Sequence, residues 1–234
     1  MHYVQLQAPR IVETAELLER RIGERFPGSG LLRVAGELVA TAREAAARSE
    51  RIRKPNIFLR AGAALLVLVF VAIVALVVAS LRLAKEEVTI STLIQDVEAC
   101  LSAAVFLGAS SIFLLTLDTR LKRRRVLAVL HELRSLAHVV DMHQLTKDPE
   151  MVTGGQTTAS SPERKLGRFE LARYLDYASE MLALISKVAA LYVQGFEDPP
   201  CLDAVDAVES LTSGLARKIW QKITILDHTP RPIE

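Results

Sequence analysis

Two stretches, residues 61–81 and 99–117, carry no charged side chain, whereas most of the remaining chain places apolar residues at helical spacing among charged ones. Each is about as long as the roughly 20 residues an α-helix needs to cross about 30 Å of hydrocarbon. Neither contains a Pro to break it. The pattern predicts an all-α membrane protein built on a two-span transmembrane hairpin, with amphipathic cytoplasmic helices at both termini.

Outside the spans the period is helical. Ile11, Ala15, Leu18 and Ile22 recur at three- and four-residue steps before the breaker Phe26-Pro27-Gly28-Ser29-Gly30. Leu31, Ala35, Leu38, Ala42 and Ala45 then mark one face of a second helix, with Ser29 as its cap and Pro55 as its stop. Leu171, Leu175, Ala178, Leu182, Ile185, Ala189 and Tyr192 form a heptad-type, coiled-coil-like seam ended by Gly195 and Pro199-Pro200. Val205, Val208, Leu215, Ile219 and Leu226 predict a last helix over about 201–226 whose Trp220 anchors a helix contact. Alternation of the strand type is absent from the sequence.

Between residues 109 and 148 there is neither Gly nor Pro, and Val126, Leu130, Leu133, Ala137 and Val140 carry a four-three repeat onward from the second apolar stretch. The second span and the cytoplasmic helix after it are therefore expected to form one continuous rod. The predicted organisation is 1–56, cytoplasmic N-terminal helices; 57–83, first span; 84–97, short external loop; 98–118, second span; 119–141, cytoplasmic extension; 142–165, flexible linker; and 166–234, a C-terminal cytoplasmic helical pair.

Charge sets the expected orientation. Arg51, Arg53, Lys54 and Arg60 precede the first apolar stretch, and Arg120, Lys122, Arg123, Arg124 and Arg125 follow the second. The connection between them balances Arg82 and Lys85 against Glu86, Glu87, Asp96 and Glu98. By the positive-inside rule these basic groups are topology anchors and both termini are cytoplasmic. The first residues lack a short apolar core followed by a cleavage site, so the first span is expected to act as its own insertion signal, in a bacterial inner membrane. A formal charge of only +2 gives no global basic field for nucleic acid.

The candidate chemistry is sparse. Cys100 and Cys201 stand at opposite sides of the expected membrane and build neither a disulfide framework nor a metal site. His138 and Asp141 lie one helical turn apart, with His131 and His143 nearby, but metal-ligand spacings of the HExxH, EF-hand or paired Glu-x-x-His kind are absent; a solvated helix end is the expectation. Gly154-Gly155-Gln156-Thr157-Thr158 lacks the lysine of a phosphate loop. No cofactor is expected, and without a dense cluster of positioned acids, bases or nucleophiles the chain does not read as an enzyme.

Side-chain size is the remaining clue. Cys100, Ala104, Gly108 and Ser111 line up along the second span, and Ala64, Ala72, Ala75 and Ala79 along the first. Small faces let helix backbones approach closely in lipid, which makes them the expected packing or pore face. Asp96, Glu98 and Asp118 are the expected mouth residues, and the absence of central charge argues against a proton-coupled transporter. Two spans cannot enclose a pathway alone, so a homo-oligomeric channel or pore-forming effector is the first functional expectation. A membrane-anchored scaffold binding a cytoplasmic helical partner is the second. The arrangement of a membrane hairpin followed by cytoplasmic helices resembles that of bacterial two-span effector domains of the SLATT class; the resemblance covers layout and implies a pore-forming output.

Overall fold

The computed structural model describes residues 5–53, 57–83, 90–149 and 166–228. Six α-helices follow one another in these segments: α1 (Ala8–Arg25), α2 (Gly30–Arg53), α3 (Ile57–Leu83), α4 (Ile90–Leu145), α5 (Arg168–Val193) and α6 (Pro199–His228). Among the described residues there is no strand. Two compact units divide the chain: Met1–Arg53 with Arg125–Glu234, and Lys54–Arg124. The first is discontinuous in sequence, so the N-terminal helices, the end of α4 and the C-terminal pair share one core.

That core follows the apolar periods. Every residue of the α1 stripe, of the α2 stripe from Leu31 to Ala45, and of the Val126 to Val140 repeat in α4 is buried. The helix at the centre is α5, packed against α1, α2 and α6. The heptad seam of α5 is only half of what it buries. Tyr174, Tyr177, Met181, Leu184, Val188 and Leu191 form a second stripe at the same three-four spacing, so this helix is enclosed on most of its circumference. Truncating a fully buried member such as Leu182 to Ala is worth about 2–5 kcal/mol on the scale of core cavities.

Local chemistry sets the ends. Ser29 Oγ accepts from the Leu32 amide at 3.2 Å and caps α2, while Gly28 takes φ +72° in the turn before it, a conformation that costs other residues strain. Phe26 in the same turn meets Tyr174 and Tyr177 edge-on at centroid distances of 5.4 and 6.2 Å, fixing the α1–α2 corner to α5. Gly195, at φ +84°, ends α5 in the left-handed position that stops a helix. Pro199 and Pro200 do not merely end what precedes them. They are the first residues of α6, where the missing amide hydrogens would have no helical partner anyway.

The unit of residues 54–124 holds α3 and the first part of α4. Both helices are long and apolar enough to cross a membrane, and the protein itself buries almost none of either apolar stretch. α4 starts at Ile90, ahead of the predicted 98, because hydropathy marks where apolar residues begin and not where a helix does. It then runs unbroken to Leu145, past the predicted end at 141. Lys54 and residues 150–165, most of the predicted linker, lie outside the described residues.

Candidate functional site

The apolar helices carry the predicted packing and mouth residues. Half-buried positions on α4 include Cys100, Ala104, Leu107, Ser111, Leu114 and Asp118, at four- and three-residue steps along one side, flanked by Ala103, Ser110 and Leu117. The matching side of α3 runs through Leu59, Gly62, Leu66, Phe70, Val74 and Val77. Leu114 comes within 3.5 Å of where a β-carbon on Gly62 would lie. Thus Cys100, Ala104 and Ser111 share a face, but Gly108 does not belong to it: it is exposed, and a β-carbon there would meet nothing within 4 Å among the described residues. Ala64, Ala72, Ala75 and Ala79 are likewise exposed, so the small residues of α3 that are covered are Gly62 and Ala63 near its start and not this alanine row.

Three hydroxyls of α4 are engaged locally. Ser110 and Ser111 donate to the carbonyls of Phe106 and Leu107, both at 2.8 Å, and Thr116 donates to Phe113 at 3.0 Å. Each hydroxyl keeps acceptor lone pairs but spends its proton on the helix. Asp118 is held by Lys122 at 3.0 Å, with side-chain exposures of 23% and 16%. The expected inner-mouth carboxylate is therefore neutralised within its own helix. Glu98 is exposed. Of Asp96, Arg51 and Arg53 only the helical backbone is described, and their side chains lie outside what is described. Arg60, Arg120, Arg124 and Arg125 are exposed, and Arg123 is half-buried.

In the helical bundle the polar chemistry gathers at the end of α4. His131 and His138 are exposed, and Asp141 accepts from Gln144 Nε2 at 2.6 Å. Among the described residues no three His, Cys, Asp or Glu side chains come together to hold a metal. His143 departs from a simple solvated helix end. Its ring lies against Gly30, where a β-carbon would clash with Cε1. Burial, with Arg33 and Lys147 adding repulsion, holds its pKa below the ordinary value.

Two groups there escaped sequence reasoning. Lys222 of α6 donates to the carbonyls of Gln144 at 2.9 Å and Lys147 at 3.3 Å, capping the open end of α4 from a distant helix. Burial pushes its pKa down, against the pull of Asp148 and Asp141. Gln144 is only 1% exposed, and its Oε1 has no partner. A lysine near an amphipathic helix end carries no sequence signal for such a long-range cap. Trp220, expected in a helix contact, is instead 66% exposed, because the buried stripe of α6 passes through Ile219 and Ile223 beside it. Cys201 is buried and Cys100 half-buried, and neither forms a disulfide.

Comparison of the chain with protein-family models, with curated proteins and with solved structures finds no match.

Proposed function

We propose that the chain is an integral membrane protein whose α3 and α4 cross the bilayer as a hairpin, with both termini cytoplasmic, and that several copies assemble into a channel or pore-forming effector. The observation that carries membrane insertion is the uncovered apolar surface. Leu65, Leu68, Leu76, Leu101, Phe106 and Ile112 are all more than half exposed, in stretches 61–81 and 99–117 that carry no charge. In water such a surface far exceeds what a soluble monomer tolerates, whereas lipid covers it without cost. The clusters of Arg and Lys at residues 51–60 and 120–125 supply the cytoplasmic anchors.

A path across the bilayer requires more than two helices, so conduction implies a homo-oligomer. The outward small residues, Gly108 on α4 and Ala72, Ala75 and Ala79 on α3, are where a second copy would approach closely. Because α4 belongs to both units as one helix, it is the element through which the cytoplasmic bundle would gate the pore.

A second reading has its own support. The hydroxyl protons of Ser110, Ser111 and Thr116 are used internally and Asp118 is paired, which favours a membrane-anchored scaffold without transport. Measuring the mass of the protein in detergent and the dye efflux of liposomes containing it separates the two. A multimer that leaks supports the channel; a monomer or dimer that never conducts supports the scaffold.

A further inference from the structure

The start of α1 and the middle of α5 border an open cleft of about 650 Å3 that none of the preceding chemistry uses. Its floor is apolar: Ile11 and Leu184 are both buried, and Leu6 and Ala183 line the walls. One wall is fastened. The Gln194 side chain accepts from the Leu6 amide at 2.9 Å and donates back to the Leu6 carbonyl at 3.3 Å, so the segment ahead of α1 is held to the end of α5 at both backbone groups.

The rim is polar and its charges are unequal. Glu180 lines the cleft but is engaged by Arg21 through two contacts, at 2.7 and 3.3 Å, which leaves that pair neutral. Arg10 faces Glu13 at 3.7 Å with both side chains about 70% exposed, a pair that solvent largely screens. The Lys187 ammonium reaches only the Ala183 carbonyl, at 3.4 Å. Among the described residues it has no carboxylate within ion-pair distance. Thr14 gives its proton to the Arg10 carbonyl at 2.7 Å. Two cations thus stand over an apolar floor in a cleft whose size falls within the range of small-molecule sites, roughly 300–1,000 Å3.

We propose that this cleft binds a small soluble amphiphile with one anionic head, of the carboxylate or phosphate-ester class. Its apolar body rests on Ile11 and Leu184, and its head meets Lys187 and Arg10. The lining residues all belong to α1, α5 and the segment before α1, and none to the apolar stretches; a soluble ligand is therefore the class proposed, and a bilayer lipid is an outcome of the test. The inference does not depend on conduction, and its test does not read conduction.

The test is a calorimetric titration of the full chain in nanodiscs of zwitterionic lipid with naphthoate, using empty nanodiscs as the blank and naphthalenemethanol as the uncharged analogue. Saturable binding above the blank is expected, with the alcohol at least tenfold weaker. Lys187→Gln should weaken naphthoate at least tenfold. Ala183→Leu fills the cleft from an exposed position and should abolish binding; Thr14→Leu does the same from α1 if the first variant loses helicity. Binding no greater than to empty discs, equal affinity for acid and alcohol, or full binding by both filled variants overturns the proposal. Loss of naphthoate binding when the discs contain anionic lipid overturns the soluble class and identifies a lipid headgroup as the occupant.

Discussion

The imidazole of His143 occupies the space that a side chain at Gly30 would need: a β-carbon there would lie 2.8 Å from Nδ1 and 2.9 Å from Nε2 as well as touching Cε1. The last turn of α4 and the first turn of α2 therefore meet through an absence of side chain on one and a ring on the other. Gly30→Ala should destabilise the bundle by about 1–3 kcal/mol through overpacking, even though alanine favours a helix. Thermal unfolding in detergent, followed by circular dichroism, checks this. In a His143→Ala background the same change should be close to neutral, and a full penalty there would refute the contact.

The same ring makes stability depend on pH. Its folded pKa lies below the ordinary 6.5, so the folded state binds the proton less readily than the unfolded chain. The contribution is fully present above 6.5 and is lost as the pH falls through the lower folded value. Arg33 from α2 and Lys147 beyond the end of α4 face the ring and reinforce that sign. His143→Gln should flatten the acid limb of a denaturation midpoint plotted against pH; an unchanged limb would assign the dependence to other groups.

Replacing Lys222 by Met removes two donors from the end of α4 while keeping the side chain's apolar stem. The expected loss is about 1–3 kcal/mol, because the carbonyls of Gln144 and Lys147 lose a charged partner. Faster amide hydrogen exchange should appear in the last turns of α4. Uniform acceleration over all helices would mean that the lysine stabilises the bundle generally and not this end.

Tyr192 gives the opposite sign. Its hydroxyl is buried without a partner, and burial raises its pKa to about 12. Tyr192→Phe removes the unsatisfied group and should leave stability unchanged or raise it by up to about 1 kcal/mol. A clear loss in the thermal midpoint would show that the hydroxyl has a bonded neighbour after all.

Gly108→Leu separates packing within a chain from packing between chains. A β-carbon there meets nothing within 4 Å among the described residues, so the helicity and unfolding of the monomeric species should not change. A lower assembled mass in detergent would then locate Gly108 at a contact between copies. An unaltered mass would remove it from the assembly.

Much of this architecture is written in periodicity. The stripes of α1, α2, the end of α4, α5 and α6 are buried where their spacing places them, because each apolar face has one side to hide and a bundle in which to hide it. The two apolar helices are equally plain from length and lack of charge. The face of α3 was not legible: residue size favoured the alanines at 64, 72, 75 and 79, whereas Leu59, Gly62, Leu66, Phe70 and Val74 are the half-buried ones. The contact of His143 with Gly30, the reach of Lys222 and the cleft over Leu184 join residues far apart in sequence, and no local pattern encodes such pairings.

Chain order adds a consequence for synthesis. The apolar faces of α1 and α2 that close on α5 leave the ribosome before α3 and α4 are made, and α5 follows only after both. Throughout that interval Leu18, Ile22, Leu31 and Leu38 have no C-terminal helix to cover them. A nascent chain halted ahead of Arg168 would present an adhesive N-terminal helix pair, the kind of surface that chaperones hold and proteases find. Completion of the bundle thus waits on the synthesis of α5 and α6, and it reports that the chain has been made at least that far.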